Sequence, residues 1–264
     1  MKTSMILRDS VRAWAAVLVR VLPLLLAHNV IAAMPDTIER IKPSVVAVGS
    51  YQKTRTPPFV YRGTGFAVGD GTLVATNVHV LPGSLNAENR ETLMILTFGQ
   101  GGEPQPREAT VLRVDKAHDL ALLRISGAPL PVLALDNADK VREGQTFAFT
   151  GFPVANLLGF SPVTHRGMIS AVTPIALPSP TAQQLDPKVI RSVRAGAFNV
   201  FQLDATAYPG NSGSPMYDIE TGQVVAIINM VFVKGTRETA LSQPSGISFA
   251  VPVRFLTELL TNPQ

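Results

Sequence analysis

The chain has 264 residues, 46% of them hydrophobic and 16% charged, enough apolar side chain for one large all-β domain or two small ones. It contains no cysteine, so disulfides, thiolate nucleophiles and cysteine-type zinc sites are excluded. The net charge of +4 is concentrated at the front, where residues 1–33 carry Lys2, Arg8, Arg12 and Arg20 against Asp9; the rest is close to neutral, which argues against a nucleic-acid surface of clustered basic residues.

Those first residues have an order of their own. A basic stretch, Met1 to Arg12, leads into an apolar run, Ala13 to Ala27, broken by Arg20 and Pro23, and small residues follow at Ile31-Ala32-Ala33. This is the layout of a secretory signal, and the run is shorter than the roughly 20 apolar residues that cross a bilayer. The expectation is a leader at 1–33 and an exported chain, periplasmic or secreted, from residue 34. An uncleaved N-terminal membrane anchor and an ordinary helix of a cytosolic protein are the alternatives.

Asp36 to Ile41 reads as a short helix with Asp36 as its N-cap. A series of strand-like segments follows. Val45 to Val48 is rich in β-branched residues, and Gly65 to Val68 and Thr72 to Thr76 flank a Gly69-Asp70-Gly71 turn, predicting a hairpin. Leu93 to Phe98, Ala109 to Val114, Leu120 to Ile125 and Pro131 to Leu135 continue the pattern. After the polar break Asp136 to Gly144 a second set comprises Thr146 to Thr150, Gly167 to Val172, Val200 to Leu203, Val224 to Ile228 and Ile247 to Val251, closed by a terminal helix over Val253 to Leu260. Many short strands with Gly/Pro turns read as barrels or sandwiches. The expected fold is all-β, two β-barrels side by side, with 34–135 forming the first and 136–264 the second together with the terminal helix. Pro174 to Pro187 and Arg194 to Asn199 are expected as loops over a cleft.

Three motifs carry chemistry. In Gly210-Asn211-Ser212-Gly213-Ser214-Pro215, glycines around a serine permit sharp backbone angles and close approach of a carbonyl group. The amides of Gly210 and Ser212 can then point into one small space and stabilise a developing oxyanion; a plain turn between strands is the bland alternative. His79 follows a strand in Thr76-Asn77-Val78-His79-Val80. A serine hydroxyl needs a base to take its proton, and histidine titrates in the right range. Asp119 opens the apolar segment Asp119 to Leu123, where a carboxylate could hold the other ring nitrogen of such a base. Alone, His79 reads equally as a surface or core histidine, Asp119 as a turn residue, and the neighbouring His118 also as a turn residue. Together, His and Asp in the first set of strands and Ser in the second are what a triad between two barrels requires.

Gly63-Thr64-Gly65-Phe66, Thr76 to Val80, Asp119 to Leu123, Gly210 to Gly213 and Gly246 to Pro252 resemble the signature blocks of HtrA/Deg-type serine proteases within the trypsin-like fold, in the same order. The resemblance runs from about Pro35 to Leu260 and implies two six-stranded β-barrels with the active site between them. It implies Ser212 as nucleophile, His79 as general base and then acid, Asp119 fixing the tautomer of His79, and the amides of Gly210 and Ser212 as the oxyanion hole. It places Thr206 at the base of the primary substrate pocket; a neutral residue there favours a small or medium apolar side chain over Lys or Arg.

The sequence departs from the family at two points. No PDZ domain follows the protease segment, so the expectation is a protease domain without peptide-gated activation; a homotrimer through that domain is the assembly the family suggests. Ser214 stands where a second glycine is usual and adds a side chain beside the nucleophile. Asn211, in place of the acid of digestive trypsin-like enzymes, cannot pair with a freed N-terminus, so activation by N-terminal cleavage is not expected. The expected activity is serine endopeptidase action on protein or peptide substrates in envelope quality control or processing, with a silent protease-fold scaffold or chaperone as the alternative. No cofactor is expected: the four histidines lack metal-ligand spacing, and no phosphate-cradling Gly-rich loop opens a helix, so no metal, nucleotide or nucleic-acid partner is implied.

Overall fold

A computed structural model describes residues 29–98, 102–136, 140–155, 159–175, 198–229 and 246–261, with the backbone alone for 29–33 and 175. The leader through residue 28, and most of the two loops expected over the cleft, lie outside the described residues. Among the described residues, twelve strands form two closed barrels. The first contains β1 (Val45–Tyr51), β2 (Phe59–Val68), β3 (Leu73–Asn77), β4 (Thr92–Phe98), β5 (Pro104–Asp115) and β6 (Leu120–Ile125), in the order β1-β2-β3-β6-β5-β4. The second contains β7 (Thr146–Gly151), β8 (Val163–Ile175), β9 (Phe198–Asp204), β10 (Pro215–Tyr217), β11 (Val224–Asn229) and β12 (Ile247–Pro252), in the order β10-β11-β12-β9-β8-β7. The all-β, two-barrel expectation holds.

Three local expectations are corrected. The helix expected from Asp36 is longer: α1 spans Asn29–Ile41 with Pro35 inside it, so Asp36 is an interior residue rather than an N-cap, and the boundary expected between residues 33 and 34 falls within a helix. Pro131 to Leu135 is not a strand; it contributes one bridge, Leu135 to Val224, which ties the linker to the second barrel. β10, three residues long, was not anticipated.

Each barrel is filled by the inward faces of its strands. β6 reads as an unbroken apolar run (Leu120-Ala121-Leu122-Leu123) buried throughout, because its outer face is also covered. The cover is α2 (Arg254–Thr261), which inserts Phe255 and Leu256 into the core. Arg113 of β5 donates through Nη1 to the carbonyls of Leu259 (2.9 Å) and Leu260 (3.0 Å), satisfying acceptors that the end of a helix leaves unpaired. The C-terminal helix therefore packs on the first barrel as well as on β12. At the other end of the chain, α1 lies on the second barrel: Thr37 Oγ1 donates to Glu220 O (3.4 Å), and Gly222 faces Thr37 and Ile41. The two terminal helices thus tie each barrel to the other. No described helix is long and apolar enough to cross a membrane.

One surface network fastens the loops of the first barrel. Glu91 accepts from Ser50 Oγ (2.6 Å), Arg55 Nη1 (2.7 Å) and the Asn86 amide (3.0 Å). These donors, the Ser50 hydroxyl first, pull its carboxyl from 4.5 down to about 2. A carboxyl held low in the folded chain stabilises it above the unfolded value, and that stability is lost as pH falls from about 4.5 through 2. Glu91→Gln is expected to cost about 1–2 kcal/mol at pH 7, solvent screening keeping the figure modest. In urea unfolding, the gap between variant and wild type should close as pH drops below 4.5.

Candidate active site

The site lies where the two barrels meet. Its first element is the 3₁₀ turn Val78–Val80 at the end of β3, which lifts His79 out of the sheet into solvent while Val80 stays buried. The second is the turn between β5 and β6, which ends on Asp119 with φ +56. This left-handed conformation is one that aspartate tolerates better than most residues. It turns the carboxylate back towards β3: Oδ1 accepts the His79 amide (2.9 Å) and Oδ2 lies 2.5 Å from His79 Nδ1. The Asp119 carbonyl accepts the Val78 amide (3.2 Å) and Asn77 Nδ2 (3.0 Å), so both ends of the residue are fixed.

A further partner comes from the second barrel. Asn229, the last residue of β11, donates Nδ2 to Asp119 Oδ2 (2.8 Å). A carboxylate that is only 7% exposed is thereby surrounded by hydrogen-bond donors, so none of its buried oxygens is left unpaired. Asn229 was not singled out in the sequence. It ends an apolar strand, and nothing in that run marks its side chain as turned towards the other barrel.

The third element is the turn between β9 and β10. Gly210 has φ +105 and Gly213 φ +86, both in the region that favours glycine. Space demands glycine too: a Cβ on Gly210 would lie 2.4 Å from Phe152 O, and one on Gly213 would lie 2.0 Å from Thr64 O. Between them Ser212 is 5% exposed. Its carbonyl accepts the Thr64 amide (2.8 Å), while Asn211 N donates to Tyr208 O (2.9 Å) and Gly213 N to Ile228 O (2.9 Å). The amides of Gly210 and Ser212 have no acceptor among the described residues. The Gly210 carbonyl is held away from them, with Thr64 Oγ1 donating to it at 2.8 Å. The Tyr61 hydroxyl lies 2.7 Å from both Gly210 O and Phe152 O, so its one proton is shared between them. Tyr61 and Thr64 belong to β2, and the first barrel thus sets the orientation of the peptide that precedes the serine.

Ser214 does not crowd this turn. Its φ is not positive, so the left-handed requirement falls on Gly213 alone. Its side chain is fully buried facing Gly151, where an added Cβ would sit 2.0 Å from Ser214 Oγ. A glycine on the neighbouring strand makes the room. Asn211 is likewise fully buried, far from any role as a surface ion-pair partner.

His79 and Asp119 are in direct contact, and Ser212 sits across the interface from them. Gly63 marks the junction: a Cβ there would lie 2.6 Å from Val80 Cγ2 and 3.0 Å from Ser212 O. The described hydrogen bonds of His79 end at Asp119, and none reaches Ser212 Oγ. In unliganded sites this contact is commonly loose and tightens when substrate binds. Thr206 is half-buried in the segment leading to the turn. Its neighbours are pinned by Ser248 of β12, whose Oγ accepts the Ala207 amide (2.9 Å) and donates to Ala205 O (2.7 Å).

Two other histidines lie outside this site. His165 is on β8, stacked on Phe149 with ring centroids 5.0 Å apart, and burial pushes its pKa down. His118 is in the turn as expected, yet it is paired with Asp115.

Gly210→Ala would put a Cβ 2.4 Å from Phe152 O at φ +105, so the turn must shift: the variant is expected to lose stability in urea unfolding and most of its activity on a chromogenic peptide.

Residues 63–227 match the trypsin-like peptidase domain family. Serine protease HTRA3 of Rattus norvegicus is 30% identical over 233 residues, covering 84% of this chain and 43% of that protein. The mitochondrial serine protease HTRA2 of Drosophila pseudoobscura pseudoobscura is 30% identical over 198 residues, covering 75% of this chain and 38% of that protein. This chain therefore spans about two-fifths of the length of the curated relatives it matches. The solved serine endoprotease of Yersinia pestis shares the fold, with a TM-score of 0.59 at 22% identity, over 86% of this chain and 65% of that one. With more than half of its length matched by that family, the chain belongs to the trypsin-like peptidases.

Proposed function

We propose that this chain is a serine endopeptidase that hydrolyses peptide bonds through Ser212, His79 and Asp119. The observation that carries the proposal is an Asp119-paired imidazole and, at the same barrel interface, a serine turn whose Gly210 and Ser212 amides have no acceptor among the described residues. Ser212 Oγ attacks the scissile carbonyl as His79 Nε2 takes its proton. Asp119 accepts the hydrogen bond from Nδ1, holds the ring in that tautomer and stabilises the imidazolium. The negative charge that develops on the carbonyl oxygen is met by the Gly210 and Ser212 amides. His79 then gives its proton to the leaving amine, producing an acyl-enzyme on Ser212. Water, deprotonated by the same imidazole, releases the acid and restores the serine.

A neutral Thr206 at the pocket base supports cleavage after small or medium apolar residues. The basic, apolar and small-residue order of residues 1–33 supports export to the periplasm or beyond, with attachment by that segment as the alternative. There the substrates are unfolded envelope proteins or a dedicated precursor. The silent-scaffold reading draws on one observation, the missing contact between His79 and Ser212.

Incubation with a denatured protein substrate, followed by mass spectrometry of the new termini, separates the readings. Cleavage after small or apolar residues, lost in His79→Ala, is the expected result. Suppressed aggregation with no new termini would favour the scaffold.

A further inference from the structure

Asp119 is the second carboxylate of its turn to hold an imidazole. Four residues earlier, at the end of β5, Asp115 accepts the amides of Ala117 (3.0 Å) and His118 (3.1 Å) on Oδ1, and its Oδ2 lies 2.5 Å from His118 Nδ1. One carboxylate therefore fixes residue 118 at both backbone and ring, and the next residue is Asp119. The His118 ring does not project into water. It stacks on Phe255 of α2, with centroids 3.7 Å apart and an interplanar angle of 17°, and Phe198 of β9 meets it edge-on at 4.6 Å. The turn is thus clamped from behind by two elements of the second half of the chain, while Asn229 holds the Asp119 carboxylate from β11.

Resting on the triad reading above, we propose that His118 is a positioning residue for the reaction: through its bond to Asp115 it sets the backbone of Asp119 so that the carboxylate meets His79. The physical need is local. Asp119 sits at φ +56, a sparsely populated conformation that persists only where its surroundings over-determine it. A peptide free to relax at residue 118 would let that φ drift and swing the carboxylate away from the imidazole. The charged groups around the His118 ring are Asp115 on its own turn and, on the α2 side, Arg254, whose guanidinium carbon lies 4.7 Å over the Phe255 ring; β9 presents Phe198.

The test compares the full chain with His118→Phe, which keeps a stacking ring but cannot bond Asp115, and His118→Asn, which places a side-chain amide near the position of Nδ1. Lys116→Ala, an exposed neighbour, is the control. His118→Phe is expected to lower kcat about tenfold with KM unchanged, the scale of a sub-ångström misplacement. The hydrogen bond between Asp119 and His79 Nδ1 should loosen with it. His118→Asn should recover most of both. The low-field proton of His79 Nδ1, followed by NMR through a pH titration, reads the same coupling without turnover, so it reports even if the wild type cleaves nothing. Failure of the triad reading would appear as wild-type kinetics no different from Ser212→Ala. A folded His118→Phe protein with wild-type kcat and His79 proton signal overturns the positioning role, as does a loss that His118→Asn does not repair.

Discussion

Ser212→Ala and His79→Ala are each expected to lower kcat by about 10⁶, and the double variant to fall no further, because nucleophile and base act as one unit. A serine is a weak nucleophile at neutral pH, and only proton removal during attack makes it effective. Without the imidazole the hydroxyl is inert; without the hydroxyl the imidazole has nothing to activate. What remains is the turn itself, where the Gly210 and Ser212 amides have no other acceptor among the described residues, and such holes sustain a residual acceleration of about 10³–10⁴ over water. Single-turnover rates on an activated ester would resolve that remainder. Strict additivity of the two losses would mean that Ser212 and His79 act independently, and the triad would not be a unit.

Asp119→Asn is expected to reduce kcat by about 10⁴ while leaving the fold intact. The amide is nearly isosteric, but the hydrogen-bond pattern around the side chain is not neutral to the change. Oδ1 accepts the His79 amide and Oδ2 faces both His79 Nδ1 and Asn229 Nδ2. Asparagine has one acceptor oxygen. Whichever way it turns, an NH₂ group opposes a donor, and opposite His79 it selects the wrong tautomer, with the proton on the nitrogen that should face Ser212. Losing a buried negative charge also removes the stabilisation of the imidazolium formed during attack. The loss should therefore fall on kcat. An unchanged kcat in Asp119→Asn would remove this residue from the mechanism.

Much of the fold and site is legible in the sequence at particular places. The two glycines around Ser212 stand out because turn chemistry is local: φ values of +105 and +86 are what a Gly-x-x-Gly spacing across the serine permits. Most strands are legible from β-branched and apolar runs bounded by turn residues, Pro131 to Leu135 being the run that misleads. β10 is not, because three residues (Pro215–Tyr217) show no period; it pairs with the nearby β11 and with β7, far back in the chain. The extent of β8 is underestimated at its start: the expected strand opens at Gly167, yet Val163 to Arg166 already pair residue by residue with β7. Asn229, Tyr61 and Thr64 are invisible as site residues, since each acts on the opposite barrel and no local pattern encodes which residue lies across an interface. His118 reads as no more than a turn residue; its ring is ordered by Phe198 and Phe255, 80 and 137 positions further along the chain.

Fluorophosphonate labelling of the folded chain, beside Ser212→Ala and His79→Ala, addresses the triad in a single measurement. Such a probe phosphonylates only a serine whose proton is taken up and whose oxyanion site is formed, so it reports base, nucleophile and amides together. Stoichiometric labelling of the wild type at Ser212, and none in either variant, is the expected result. A folded wild-type chain that stays unlabelled, or labels equally well without His79, would show that Ser212 is not activated by His79.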